Sequence, residues 1–303
     1  MKKSVKLKKL VVLILSLTLT NLLFAGVYDE INSILARSNQ KKVTFGIKIV
    51  DITGNRTIYS RNEHQPMIPA SNMKLITSAA ALNYLGPEYQ FKTQLGIANG
   101  ALVVIGSGDP LLGDPRTNDK YHRPQGWIFD DIAQTLTNNN VTQVQNIIID
   151  STIFDDQRVH PSWPADQLNR WYACEVSGLN YNSNCISVVT KKTNGRVKVQ
   201  IEPDTSFIQI ENQVKAISSG SGAVGTYRTE TPNKIIVWGK CKNKQGPFDV
   251  AIERPAAFFG FLLAENLAAK NIKTTGSLLE KRLNPALDFR LLKTYNTSIA
   301  DCV

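Results

Sequence analysis

Alternating apolar and polar positions predict two β-hairpins near the start of the chain. Residues 43–51 alternate apolar with small or polar side chains, and the alternation resumes at 56–60 after a Thr-Gly-Asn turn. A second pair of short runs, 91–97 and 101–105, is joined by Asn99-Gly100, the dipeptide most typical of a two-residue hairpin turn. We therefore expect antiparallel pairing within each pair of runs.

Three segments carry the signals of helices. An Ala- and Leu-rich stretch over 71–85 ends at Gly86-Pro87, a usual C-terminal stop. Pro124 opens a second helix, and Pro255 opens an apolar one that runs to about Ala269. The second helix has three apolar residues on one stripe, at i, i+4 and i+8: Ile128, Ile132 and Leu136.

The rest of the pattern is β-rich. Residues 144–149 and 274–282 each predict a strand, and 186–238 predicts several short strands separated by Gly and Ser turns. Residues 151–185 are rich in Trp, Pro, Asp and Asn and predict irregular structure. Helices and strands in this mixed order indicate an α/β, more strictly α+β, fold class.

The N-terminus has the pattern of a secretory signal peptide. Residues 1–9 are lysine-rich, 10–24 carry no charge, and small Ala25-Gly26 follow as a cleavage point. Leu23 stands where a small residue is preferred, so an uncleaved anchor is the alternative, although the apolar run is shorter than the ~20 residues of a full span. We expect a periplasmic or otherwise extracytoplasmic protein with at most peripheral membrane contact.

Charge gives little support for a nucleic-acid partner. The 303 residues carry 35 basic and 25 acidic side chains, a net charge of +10. Five of the lysines lie within residues 1–25, which have no acid, so the remainder has 30 basic and 25 acidic residues, or +5. Basic runs interleaved with aromatic residues are missing from the sequence, which argues against nucleic-acid binding.

The four cysteines predict a disulfide and no metal site. Cys174 and Cys185 lie eleven positions apart among turn-forming residues, and export would permit them to pair. Cys241 and Cys302 are left over. The three histidines are scattered without metal-ligand spacing, so we expect neither a metal nor another cofactor.

The candidate chemistry is Ser71-Asn72-Met73-Lys74, a Ser-x-x-Lys tetrad at a helix start. Residues i and i+3 share one helical face, so the Lys74 amine can reach the Ser71 hydroxyl. A serine needs an adjacent base to act as a nucleophile, and a lysine that has lost its proton can serve. The helix N-terminus adds amide donors for a developing oxyanion. Alone, the tetrad fits a simple helix cap better, because a serine near a helix start is usually a cap.

The surrounding sequence resembles one enzyme family. Met67 to Leu82, with Leu85-Gly86-Pro87, closely resembles the active-site helix of class C low-molecular-mass penicillin-binding proteins, the D-alanyl-D-alanine carboxypeptidase/endopeptidases. Ile105-Gly106-Ser107-Gly108-Asp109-Pro110-Leu111 resembles the Gly-Gly-Asp-Pro turn of that family. Residues 147–154 and 176–182 resemble its inserted domain, so the similarity runs from about residue 28 to the C-terminus.

The resemblance implies a serine DD-peptidase that acts on peptidoglycan stem peptides. Ser71 would form the acyl-enzyme, Lys74 would transfer the proton, and β-lactams would acylate Ser71 as covalent ligands. Asp166 matches loosely an acid that holds the free amine of diaminopimelate, although a turn-capping role fits this aspartate as well.

The family places two further motifs, Ser-x-Asn and Lys-Thr-Gly, in the same cleft. Ser60-Arg61-Asn62 precedes the nucleophile, and Lys192-Thr193-Asn194-Gly195 and Lys273-Thr274-Thr275-Gly276 each have one residue too many. By resemblance the chain stops before the segment that carries the true motifs. We therefore expect a truncated, impaired enzyme. The alternative is a non-catalytic, exported, cell-wall-associated module.

The resemblance also gives a domain prediction, a partial β-lactamase/DD-peptidase-like domain interrupted by a large α/β and β-rich insertion. After the signal peptide at 1–25, residues 26–95 would begin the catalytic domain. Residues 96–185 would form the first part of the inserted domain, 186–240 a small β-rich module, and 241–303 the return part of the insertion.

Overall fold

A computed structural model describes residues 26–303, so the signal peptide predicted at 1–25 lies outside the described residues. The chain divides into two compact units, Met1–Thr77 and Ser78–Val303, and each contains helix and strand. The fold is α+β, as the sequence pattern predicts. Within residues 26–303, none of the helices combines the length and the apolar character that a membrane span requires.

The first unit contains the predicted hairpin. Helix α1 covers residues 26–35, and strands β1 (Ile47–Asp51) and β2 (Arg56–Arg61) pair in antiparallel fashion. The Asp51 carboxylate accepts hydrogen bonds from the Thr53 and Gly54 amides and closes the turn. The Tyr59 side chain is buried, and its hydroxyl donates to the side-chain amide oxygen of Asn32, Oδ1, at 2.9 Å. That bond fixes the strand against α1.

Helix α2 (Met73–Leu85) is preceded by a 3-10 turn at Ala70–Asn72. The helix ends at Gly86, which has a φ of +85° and can adopt this conformation because it has no Cβ. The division between the two units falls within α2, after Thr77.

A five-stranded mixed sheet forms the centre of the second unit, with strand order β14-β6-β4-β3-β15. Strands β6, β4 and β14 are parallel, and β3 and β15 add an antiparallel pair at one side. The type I′ geometry expected of Asn99-Gly100 is present, since both residues have positive φ. The strands are β3 (Gln90–Ala98), β4 (Ala101–Ile105), β6 (Ile147–Asp150), β14 (Leu278–Glu280) and β15 (Phe289–Ser298).

Two helices cover one face of this sheet. Helix α4 (Trp127–Asn138) buries the predicted stripe of Ile128, Ile132 and Leu136, and α5 (Pro255–Ala269) buries nine of its fifteen residues. Together with Leu102, Val104, Ile147 and Ile149 from the strands they form the main hydrophobic core. The shorter helices are α3 (Pro115–Lys120) and α6 (Ile299–Cys302).

The strands predicted over 144–149 and 274–282 are both interrupted, and the two breaks lie opposite each other in the strand pairing. The first splits into β5 (Gln143–Val144) and β6, and the second into β13 (Lys273–Thr274) and β14. Gly276 donates its amide hydrogen to the Gln145 carbonyl oxygen at 2.5 Å, and a Cβ at Gly276 would meet the Asn146 side chain at 2.3 Å. The two strands are therefore interrupted side by side.

The remaining strands form two three-stranded sheets, β12-β7-β8 and β10-β11-β9. Their inner faces join the main core, where Phe207 lies 5.8 Å from Phe258 of α5 between ring centroids. The strands are β7 (Cys185–Thr193), β8 (Arg196–Glu202), β9 (Gln209–Ala216), β10 (Ala223–Arg228), β11 (Lys234–Cys241) and β12 (Lys244–Ala251).

The domain boundaries predicted at 95/96, 185/186 and 240/241 fall within strands β3, β7 and β11. The β-rich part also extends beyond residue 240, through β12, and shares its core with α5. The assignment of these segments to a catalytic domain and an insertion stays a prediction.

Candidate active site

Ser71 lies in the turn that leads into α2. Ala70 has a φ of +45°, a conformation that a non-glycine residue adopts at some cost and that is common beside functional sites. The Asn72 amide donates to the Pro69 carbonyl oxygen, and the Met73 amide donates to the carbonyl oxygens of Ala70 and Ser71. These bonds hold the serine at the N-terminus of the helix, where the amide dipoles favour developing negative charge.

The structure brings Ser71 and Lys74 together. The Lys74 amine, Nζ, lies 3.5 Å from the Ser71 hydroxyl oxygen, Oγ, and both side chains are exposed. In the charged state the lysine donates this hydrogen bond. After losing a proton it can accept the serine proton along the same line, which is the geometry of a nucleophile beside its base.

Helix α2 is apolar but has no buried residue. Leu75 is 73% exposed, Ile76 62% and Tyr84 85%. A helix with this composition is more often enclosed on all sides. The Ser71–Lys74 pair therefore lies on an element whose apolar surface is largely open.

The segments that carry letters similar to the second and third motifs have ordinary structural roles. Ser60-Arg61-Asn62 ends strand β2. The Lys192-Thr193-Asn194-Gly195 segment is the β7–β8 hairpin, with positive φ at Asn194 and Gly195. Lys273-Thr274 forms β13, paired with β5. None of these segments supplies evidence of a catalytic role.

Asp166 lies in a 3-10 turn at Ala165–Gln167, within the second unit. Its carboxylate is exposed and makes no hydrogen bond among the described residues, and it does not cap the turn. The side chain is therefore open to solvent. Its role in binding an amine stays a prediction.

Two stretches that carry the family resemblance meet backbone to backbone. The Gly106 amide donates to the Asp150 carbonyl oxygen, and the Gly108 amide donates to the Gly178 carbonyl oxygen at 2.7 Å. A Cβ on Gly106 would come within 2.2 Å of that Gly178 oxygen. The close approach explains why glycine is needed at this position.

We expect Gly106→Ala to destabilise the second unit by about 1–3 kcal/mol, because the clash is with backbone that cannot rotate away. Urea unfolding measures the change. Gly225→Ala is the matched control, since its Cβ would meet only the half-exposed Trp238 indole at 3.1 Å. A Gly106→Ala midpoint equal to that of Gly225→Ala would contradict the steric argument.

The aspartate of the same turn, Asp109, is buried. Its carboxylate accepts hydrogen bonds from the Leu111 amide at 2.9 Å and from the Thr297 hydroxyl at 2.5 Å. Burial raises the pKa of Asp109 above its ordinary value, because the charged form loses hydration. No local sequence pattern indicates Thr297 as the partner of Asp109, because it lies on β15, far along the chain. Asp109 therefore ties the turn to the last strand.

The Cys174 and Cys185 sulfur atoms lie 3.4 Å apart as free thiols. The hydrogen bond with Cys185 lowers the pKa of the Cys174 thiol. A thiol with a lowered pKa forms thiolate more readily, and thiolate is the species that initiates disulfide exchange. The pairing itself stays a prediction.

We predict that oxidised, exported protein contains a Cys174–Cys185 disulfide and is stabilised by about 2–4 kcal/mol relative to its reduced form. Non-reducing peptide mapping identifies the bond. Buried Cys241 is the internal control and is expected to stay free. Recovery of both Cys174 and Cys185 as free thiols from oxidised protein would contradict the prediction.

Two curated relatives match most of this chain. A D-alanyl-D-alanine carboxypeptidase from Actinomadura sp. (strain R39) is 25% identical over 272 residues, which cover 82% of this chain and 48% of the relative. The D-alanyl-D-alanine carboxypeptidase DacB of Haemophilus influenzae is 23% identical, over 83% of this chain and 56% of its own. The chain thus spans about half the length of these relatives.

The fold is similar to that of a solved protein. The crystal structure of penicillin binding protein 4 (dacB) from Haemophilus influenzae matches with a TM-score of 0.66 and 22% identity, over 84% of this chain and 57% of the other. A structure of that protein complexed with a novel β-lactam matches with a TM-score of 0.60. Over residues 27–293 the sequence matches one family as a whole. The chain belongs to the D-Ala-D-Ala carboxypeptidase 3 (S13) family.

Proposed function

We propose that this chain supplies the nucleophile and base of a serine D-Ala-D-Ala carboxypeptidase/endopeptidase that acts on peptidoglycan stem peptides. The observation that carries the proposal is the 3.5 Å approach of Lys74 Nζ to Ser71 Oγ at the N-terminus of α2. Membership of the S13 family supports it, because the relatives covering most of this chain are D-alanyl-D-alanine carboxypeptidases.

In this proposal Lys74 begins as the neutral amine and takes the Ser71 proton. The serine oxygen attacks the carbonyl carbon between the two D-alanines, and the Ser71 amide at the helix N-terminus donates to the oxyanion. Lys74 then returns the proton to the departing D-alanine amine. Water releases the acyl group by the same exchange in reverse. β-Lactams would acylate the same oxygen, because their ring carbonyl occupies the position of the scissile amide.

The proposal also covers how the substrate amine is bound and in which compartment the protein acts. Asp166, exposed and without a hydrogen-bond partner among residues 26–303, would hold the free amine of a diaminopimelate side chain. The lysine-rich start and the apolar run after it support export to the periplasm or an equivalent compartment. Both features suit a substrate that lies outside the cytoplasm.

The proposal is tested by the chemistry of the purified chain. It is incubated with a fluorescent penicillin and, separately, with a peptide that ends in D-Ala-D-Ala. We expect slow covalent labelling at Ser71 and little D-alanine release, because neither Ser-x-Asn nor Lys-Thr-Gly stands in a credible place within the 303 residues. Labelling at any other residue would contradict the assignment of the nucleophile.

A further inference from the structure

Three lysines stand side by side on the exposed face of the sheet β12-β7-β8. In the strand register Lys191 is directly opposite Lys198 on one side and Lys244 on the other. All three side chains are exposed, and within the described part of the chain none joins an ion pair. Like charges directly opposite each other destabilise a sheet. The row therefore weakens the fold unless an anion lies over it.

The lysine row borders a concave surface rather than a flat one. Lys191 and Lys244 line a cavity of about 850 Å³, whose lining also includes polar Gln200 and two acids, Glu202 and Asp204. A cavity of this size accepts a small peptide or a similar ligand. Contact with an anionic bilayer would favour a convex basic surface, whereas this face is concave.

The other end of the same face is acidic. Four residues from Lys191 along β7, Ser187 is opposite Glu202 on β8 and Asp249 on β12. At a rise of about 3.3 Å per residue the two ends lie about 13 Å apart. The alternate residues Ile186, Val188 and Val250 point into the core, so Glu202 and Asp249 share the outer face with the lysines.

A second cavity continues from the acidic end. It has a volume of about 710 Å³ and is lined by the exposed ring of Trp171 and by three acids and one cation: Asp114, Glu202, Asp249 and Arg116. Ser187 and Glu202 line both cavities, so the two form one groove across the sheet. The groove is cationic at one end and acidic at the other, a charge distribution that repels a uniform polyanion and matches a zwitterion.

We propose that this groove, outside the Ser71 site, binds a second peptidoglycan stem peptide. Lys191 and Lys244 take the carboxylates of the peptide, and Glu202 and Asp249 take its free ammonium. The identity of the ligand rests on the proposed function, whereas its zwitterionic chemistry rests on the groove alone. A second bound stem would keep the wall polymer close to the enzyme and raise the effective concentration of substrate at Ser71.

The test uses a soluble L-Ala-D-Glu-diaminopimelate-D-Ala peptide as the probe, titrated into the 303-residue chain by calorimetry. Lys191→Glu/Lys244→Glu reverses two charges that line the groove. The control is Lys215→Glu/Lys240→Glu, an exposed lysine pair that is also in direct register, on β9 and β11, but lines neither cavity. We expect the first variant to bind about tenfold or more weakly and the control within about twofold of the parent.

The assay separates this proposal from the previous one. Ser71→Ala should bind the probe as the parent does, while penicillin labelling reports the catalytic proposal independently. Circular dichroism verifies that both double variants fold. Equal losses in the two variants, no binding by the parent, or equally tight binding of phosphatidylglycerol vesicles would overturn the groove assignment.

Discussion

Replacing Ser71 with alanine should abolish covalent labelling by a fluorescent penicillin. The acyl-enzyme bond forms at the serine Oγ, and no other hydroxyl lies beside Lys74 at hydrogen-bond distance within the described residues. Because the bond cannot form without this oxygen, the loss should be complete rather than partial. Gel fluorescence after denaturation measures it.

Ser78→Ala is the matched control. Ser78 lies on α2, seven residues beyond Ser71, and is half-buried, so its substitution tests for a general effect on the helix and leaves the Ser71 hydroxyl in place. We expect the labelling of this variant to equal that of the parent. Persistent labelling of Ser71→Ala would show that another side chain reacts, and the proposed function would then fail.

The catalytic pair could be predicted from the sequence because the geometry is local. Three positions on a helix fix the separation of Ser71 and Lys74 whatever surrounds them, and the structure gives 3.5 Å. The β3–β4 hairpin was predictable for the same reason, since the Asn99-Gly100 turn determines its own register. Local chemistry was sufficient in both cases.

Strand β15 was not predicted, although it is ten residues long and pairs with β3 along its whole length. Its residues do not alternate cleanly, and several apolar side chains are only half-buried. What fixes the strand is its partner, about 200 positions earlier in the sequence. Thr297, whose hydroxyl donates a hydrogen bond to Asp109, lies on this strand and was therefore not predicted either. Such long-range pairing has no signal in a local pattern.

The interrupted strands show a similar limit. The segments 144–149 and 274–282 each predict a continuous strand, but each breaks where the other does. Asn146 accepts a hydrogen bond from the Ser277 amide and thereby replaces a ladder bond with a side-chain bond. Gly276 and Asn146 can both be read from the sequence, but they interrupt the strands only because the fold brings them together.

The groove on the β12-β7-β8 sheet illustrates what a sequence conceals in its charges. A net charge of +5 after residue 25 gives no reason to single out Lys191, Lys198 and Lys244. Their alignment depends on the β7–β8 hairpin turn and on the pairing of β12 with β7, 53 positions apart. Strand β12 itself was not predicted. The strand register therefore places lysines that are far apart in the sequence in one row.

The second large effect is expected at Lys74. Replacing it with alanine removes the base but leaves the Ser71 hydroxyl, so acylation should slow by about a hundred- to ten-thousandfold rather than stop. Lys74→Arg should not rescue the rate. A guanidinium stays protonated in proteins and therefore cannot accept a proton from serine. The labelling rate with a fluorescent penicillin measures both variants.

Lys41→Ala is the matched control, an exposed lysine in the same unit that is thirty positions before Ser71 in sequence and has no hydrogen-bond contact to it. Its labelling rate should stay at the parent value, which would exclude a general effect of lost positive charge. If Lys74→Arg reacted as fast as the parent, the lysine would act through its charge alone. The attack by Ser71 would then need a different base, and the 3.5 Å contact would serve to orient the hydroxyl rather than to remove its proton.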